Sequence, residues 1–355
     1  MKINKFIIIL LVLICLTGCQ NAKKDYSTPS NSESVKESID NDTINIALDM
    51  EIMDFDGSLI LVKKDNKYGI VDTKGKIVIE PLYEELNLFK EHLALAKENG
   101  KFGFINESGV KVVPFQYADG KNFSNNQASV KLNDKWGYIN SSGETSIDFN
   151  FYEVSDFHEN KAIISDGRNK GFIDSTGKII LDYQYQDAKN FNKNLAPVFK
   201  NGKWGYITPE GVLSIIYQYE DASEFSSSGY ATVQKNGKKG LIDTSGNIII
   251  DFKYEKLFSF SDNLAVAVYN GKYGVIDKSD NIIIDFKYEE AYDYCNELIA
   301  VRQNGKWGYI DKTGKIVLDF QYDKASNFQN ELALVQKNNK NIIIDKQGKT
   351  IIIEK

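Results

Sequence analysis

An aromatic side chain followed directly by glycine returns at Tyr68, Phe102, Trp136, Trp204, Tyr273 and Trp307. Rings held in such a row stack sugar rings or the side chains of peptides and partner proteins, provided that water reaches them. Lysine occupies the same site at Lys170 and Lys239 and asparagine at Asn341. Lysine is almost never buried unpaired, so the face is expected to be at least partly open. Equally, lysine stems can lie across the groove with their ammonium groups in solvent, which would make these aromatics packing residues. Both readings stand at this level.

Other reactive side chains are sparse. The two histidines, His92 and His158, occupy non-equivalent places, and no zinc, phosphate-loop, nucleophile-elbow or dinucleotide motif occurs. No cofactor and no metal are therefore expected, and the chain is read as non-enzymatic. Carboxylates recur at Glu80, Asp148, Asp182, Asp251, Asp285 and Asp319. One carboxylate per unit is thin for calcium, which takes six to eight oxygens, and reads better as a solvated edge that blocks strand pairing.

The remaining chemistry is at Cys19. Lys2 and Lys5 precede an apolar run over residues 6–16, which is too short to span a bilayer and reads as a secretory signal. The run ends in Leu16-Thr17-Gly18-Cys19, which resembles the bacterial lipobox. That resemblance implies removal of residues 1–18 and diacylglycerol on Cys19. Its acyl chains, at ~0.8 kcal/mol per buried methylene, would anchor the protein to the cell membrane or outer membrane, facing outside the cytoplasm. Residues 19–43 hold five serines, a proline and few large apolar groups, and read as a disordered tether spanning ~25–30 Å. Loss of Lys2 and Lys5 leaves 41 basic against 49 acidic residues, a net charge of −8. That sign argues against nucleic acid as a partner. With Cys19 lipidated, Cys295 is a lone thiol in an apolar stretch, expected to be buried and inert.

The elements that must position the aromatic row form a repeat domain over residues 44–355. The glycines Gly69, Gly103, Gly137, Gly171, Gly205, Gly240, Gly274 and Gly308 lie 34 residues apart, once 35, and mark nine units. In the unit around Gly274, residues 264–268 read as a strand and Asn270-Gly271 as a type I′ hairpin turn. Residues 272–277 form a second strand, and 282–284 a third after an Asp-x-x-Gly type of turn whose clean form is Asp311-Lys312-Thr313-Gly314. Each unit is thus expected to be a three-stranded antiparallel meander. Within its second strand, parity puts Val71, Ile105, Ile139 and their counterparts on the core side. The connector carries two aromatic columns, Tyr83 to Tyr322 and Phe89 to Phe328, three-and-three around a small residue. That spacing suits a helical turn or compact loop whose rings plug the seam between units.

The phrase Asn304-Gly305-Lys306-Trp307-Gly308-Tyr309-Ile310-Asp311, the turn and the apolar strand after it resemble the WG (KWG) repeat family of bacterial proteins. The resemblance covers the chain from about residue 58 and implies exported or surface proteins without a shared catalytic activity. The expected architecture is an all-β, open, curved, solenoid-like stack. The alternative is a closed β-propeller whose last unit would be completed by residues 50–55. The expected function is that of a cell-envelope lipoprotein whose repeats bind or scaffold another macromolecule, with a cell-wall or capsule glycan as the alternative ligand. Cys19→Ser should leave an unprocessed precursor that takes up no labelled palmitate; normal processing with palmitate incorporation in that variant would refute the anchor.

Overall fold

The computed structural model describes residues 46–294 and 297–354. The expected signal, Cys19 and its tether, and Cys295 lie outside the described residues. Among these, every regular element is a β-strand, and the strands form nine consecutive sheets within one unit, Asn45–Lys355, each with four antiparallel strands and the ninth with a fifth, parallel one. The eighth sheet shows the pattern: Glu290–Ala291, Leu298–Gln303, Lys306–Asp311 and Ile316–Tyr322, hydrogen-bonded in that order.

Four strands replace the expected three because the connector is not helical. Its start supplies a two-residue strand, Glu85–Leu86 in the second sheet, which pairs with the strand that follows. The chain then turns back through two residues with positive φ, such as Glu91 and His92 or Asn125 and Asn126. Two residues are too few to display a period, so the spacing of the aromatics dominated the pattern. The other turns are as their residues dictate. Asn270 and Gly271 both take positive φ, and Asp311 Oδ1 accepts the amides of Thr313 (2.8 Å) and Lys315 (3.1 Å), with Gly314 at φ 85°.

The marker glycine is explained by space. A Cβ on Gly308 would lie 2.7 Å from the carbonyl oxygen of Leu318, and the other seven marker glycines would meet the equivalent oxygen at 2.6–2.7 Å. At this point the register between third and fourth strands slips: Trp307 pairs with Tyr322, yet Tyr309 pairs with Leu318. The bulged fourth strand bends at the slip, and a single residue then separates it from the next sheet, as Glu84 separates Tyr83 from Glu85. In the ninth sheet Ile342 replaces the glycine, and there Ile342 and Ile343 pair with Ile353 and Ile352 without a slip.

The stack closes on itself, which corrects the open solenoid. Ile46–Leu48 adds to the last strand in parallel, with Ile46 opposite Ile352 and Leu48 opposite Glu354. Leu48, 4% exposed, lies in one apolar cluster with Ile52, Ile60 and Val62 of the first sheet and Ile343 and Ile352 of the ninth. Asn341 Nδ2 donates to the carbonyl of Ile52 (3.1 Å) across the same junction. The architecture is a nine-bladed β-propeller. Glu51–Phe55, assigned to the last unit in the alternative reading, instead forms the first strand of the first blade. Closure removes the two apolar faces that an open stack would leave in water.

The seams are filled as the aromatic columns predicted. Phe123 packs on Phe104 of the preceding blade with centroids 4.8 Å apart, and Phe157 on Tyr138, Phe225 on Tyr206 and Phe328 on Tyr309 repeat that distance. Each buried ring contributes about 2–3 kcal/mol. Leu48→Ala should cost about 2–5 kcal/mol by urea denaturation, whereas Leu82→Ala, at a residue 66% exposed, should stay within about 0.5 kcal/mol.

Candidate functional site

The aromatic row sits at the second or nearby position of each third strand, directly before the marker glycine, and most of it is covered. Trp204 and Trp307 are only 7% and 5% exposed, and Phe102 is buried too; Tyr68, Trp136 and Tyr273 are half-buried. Lysines that the sequence did not single out lie over the rings: Lys63 on Tyr68 (5.4 Å), Lys97 on Phe102 (4.8 Å), Lys121 on Trp136 (5.7 Å), Lys189 on Trp204 (4.9 Å) and Lys256 on Tyr273 (5.5 Å). Trp307 is covered by the ring of Tyr292, stacked at 4.8 Å and 10°. The expectation of an open face therefore fails at Trp204, Trp307 and Phe102. A cation over a ring is attracted by its quadrupole, and the lysine stem shields the ring from water.

Where tryptophan is present, the tyrosine two residues on is a seam residue. Tyr138, Tyr206 and Tyr309 donate from their hydroxyls to the carbonyls of Ser155 (2.6 Å), Ser223 (2.8 Å) and Ser326 (2.7 Å) in the next blade. Burial pushes the ionisation of these hydroxyls well above its ordinary value. The signal was available in the sequence: each Trp-Gly-Tyr is followed by serine 17 residues after the tyrosine. The acidic column at Glu80, Asp148, Asp182, Asp251, Asp285 and Asp319 is exposed on the fourth strands, which are sheet edges. Among the described residues no group of three or more His, Cys, Asp or Glu side chains is placed to hold a metal ion.

A different set of carboxylates opens each first strand: Glu51, Glu85, Asp119, Glu153, Asp187, Asp221 and Glu290, with Lys256 and Lys324 in the remaining two blades. The sequence reading missed it, although its position two residues after the tyrosine column fixes it in the repeat. Asp119, Glu153 and Asp187, from three consecutive blades, line one cavity of about 640 Å³. Three neighbouring blades can share a cavity this small only where they converge, so the first strands face the inside of the ring.

Most members of this set are neutralised within their blade. Lys97 pairs with Glu85 (2.7 Å), Lys170 with Glu153 (2.8 Å), Arg302 with Glu290 (2.5 Å) and Lys239 with Asp221. The hydrogen bond from Lys170 holds the Glu153 carboxyl below its ordinary value. Burial pushes Asp221 up, but Lys239 and Lys189 outweigh it and leave its carboxyl lowered. Lys170 and Lys239, standing at the aromatic site, thus serve as counter-ions. Asp119 faces Lys131 across the sheet. Asp187 faces Phe199, and no cation pairs with it among the described residues.

The cavity opens where the repeat departs from its own rule. In five blades the residue before the first strand is a carboxylate that accepts turn amides, as Glu84 does from Gly100 (3.0 Å) and Glu289 from Gly305 (3.0 Å). The third, fourth and fifth blades carry Ala118, Tyr152 and Gln186 there. These are the blades that line the cavity. In the fourth, Asp166 closes its own turn by accepting the amides of Arg168 and Asn169 (2.8 Å each), and Tyr152 stands 54% exposed. Trp136, Tyr152, Lys121, Lys131, Lys170 and a fourth carboxylate, Asp134, line the cavity as well. The volume is that of a small-ligand cleft, of roughly 300–1,000 Å³, while the walls are more charged than such clefts usually are.

A family model described as WG containing repeat matches eight tandem copies, at residues 68–102, 102–136, 136–168, 171–204, 204–238, 240–273, 273–307 and 307–340. Each copy spans, to within two residues, the interval from one position of the aromatic row to the next, so nine blades contain eight full intervals. No curated protein matches the chain. Among solved structures, the crystal structure of a eukaryotic initiation factor superposes with a TM-score of 0.63 at 13% identity, over 84% of this chain and 96% of that one. That likeness shows the fold alone. Kluyveromyces lactis Hsv2p (TM-score 0.40, 12% identity, 66% and 93% covered) and the dihydro-heme d1 dehydrogenase NirN (0.44, 12%, 86% and 76%) are too distant to argue from.

Trp204→Ala and Trp307→Ala should each cost about 3 kcal/mol or more in urea denaturation, as buried rings do. Trp136→Ala should cost less than half as much; equal losses at all three would place Trp136 in the core.

Proposed function

This chain belongs to the WG containing repeat family, and we propose that it is a non-enzymatic binding module, lipid-anchored in the cell envelope through Cys19 and facing outside the cytoplasm. The observation that carries the binding role is the cavity of the third to fifth blades, where Tyr152 is exposed and Trp136 is half-buried beside it. Around the ring the repeated aromatics are spent on packing and on lysine caps, Trp136 itself lying under Lys121, whereas Tyr152 stands outside that row and is open. The reading concentrates recognition in one place on the ring instead of spreading it over nine equal sites. The lipobox, the net charge of −8 after signal removal and the tether support display outside the cytoplasm and a partner other than nucleic acid.

A macromolecular partner is favoured over a glycan, because stacking along a continuous row of sugars would need Trp204 and Trp307 open, and both are buried. Purified full-length protein should retain envelope proteins more strongly than envelope glycans. The double change Trp136→Ala with Tyr152→Ala should abolish that retention while the far-ultraviolet circular dichroism stays unchanged. Glycan retention alone would transfer the function to the alternative ligand, and retention untouched by the double change would remove the cavity from the binding site.

A further inference from the structure

The charges around the cavity do not cancel evenly. The lining carries four carboxylates, Asp119, Asp134, Glu153 and Asp187, against three lysines, Lys121, Lys131 and Lys170, and among the described residues Glu153 alone of the four is ion-paired, to Lys170. Asp187, on the fifth blade, is the carboxylate with no lysine of its own blade in the lining and with an apolar cross-strand neighbour, Phe199. From this carboxylate, in one cavity with the exposed Tyr152 and with Trp136, we infer that the cavity receives a lysine or arginine side chain from an extended segment of a partner protein. Its cation pairs with Asp187 and its stem lies against the aromatic walls. The inference rests on the binding role proposed above and names the chemistry of the partner.

Three observations point to a cation on an apolar stem. The ring already uses that chemistry on itself: Lys97 and Lys189 lie 4.8 and 4.9 Å from the centroids of Phe102 and Trp204. A partner's lysine at Tyr152 would repeat an arrangement that the fold makes at five rings of its own aromatic row. Second, Lys121 is not available to neutralise Asp187, since its ammonium donates to the carbonyl of Val154 (2.7 Å), and Lys189 donates to Ala222 (2.6 Å) and Asp221 (3.2 Å). Third, the acidic balance of the whole chain, −6 before any processing, draws a basic segment toward the ring. A bare metal ion fits less well, because a lone carboxylate does not supply the oxygens that calcium needs.

The experiment uses the full chain in detergent and three labelled probes followed by fluorescence anisotropy: a glycine–serine peptide with central lysines, the same peptide with N-acetyl-lysines, and the same with glutamates. The lysine peptide should bind, the other two should not, and added salt should weaken the complex. Asp187→Asn should weaken binding by roughly tenfold or more and Tyr152→Ala by several-fold, while Asp182→Asn, an equally exposed carboxylate on a fourth strand, should change nothing. Equal binding of lysine and acetyl-lysine peptides, or full affinity in Asp187→Asn, would overturn the cation inference while leaving the cavity a peptide-binding site. Failure of the lysine peptide to bind at all would overturn it as well, and the retention of other envelope partners would then decide the broader role.

Discussion

The apolar cluster around Phe104 and Phe123 is drawn from the second and third blades together, and the same sharing recurs at the other seams. A blade has four short strands and no buried face of its own. Its second and third strands become core only when the next blade's connector ring is laid over them. Stability therefore depends on neighbours, and an end without a neighbour is exposed. The parallel strand Ile46–Leu48 and the cluster around Leu48, Ile343 and Ile352 meet that requirement by joining the ninth blade to the first.

Sharing a core also demands a short passage from blade to blade, and the marker glycine provides it. With hydrogen in place of Cβ, the fourth strand comes close enough to slip register, bend and deliver the chain to the next sheet after one residue. In the ninth blade, where Ile342 stands in place of the glycine, Ile342 and Ile343 pair in step with Ile353 and Ile352, and the register shifts only after Ile343. The tryptophan beside the glycine belongs to the same packing: Trp204 and Trp307 join the buried clusters of their seams, and lysine or tyrosine closes over them.

Because packing dictates most positions, exposed departures from the repeat carry the functional information. Ala118, Tyr152 and Gln186 abandon the turn-capping carboxylate in three successive blades, and the cavity opens there. Asp187 keeps the acidic residue of its ring but lacks the cation that Glu85, Glu153, Asp221 and Glu290 each have. The site is thus made from small local losses in a regular scaffold, not from a motif of its own.

The sequence by itself determined the repeat, the all-β class, the type I′ and Asp-x-x-Gly turns, the burial of Val71 and Ile105 on the third strand, and the seam role of Phe123 and Phe328. These rest on local backbone preference and on a period, and both are written in consecutive residues. It did not determine the fourth strand, because Glu85–Leu86 is too short to show alternation, nor the coverage of Trp204 and Trp307, because Lys189 and Tyr292 reach them from another strand. Ring closure, too, was decided only in three dimensions. It depends on the angle between neighbouring blades summed over nine of them, and on Ile46 meeting Ile352 more than 300 residues away, a pairing that no local pattern encodes.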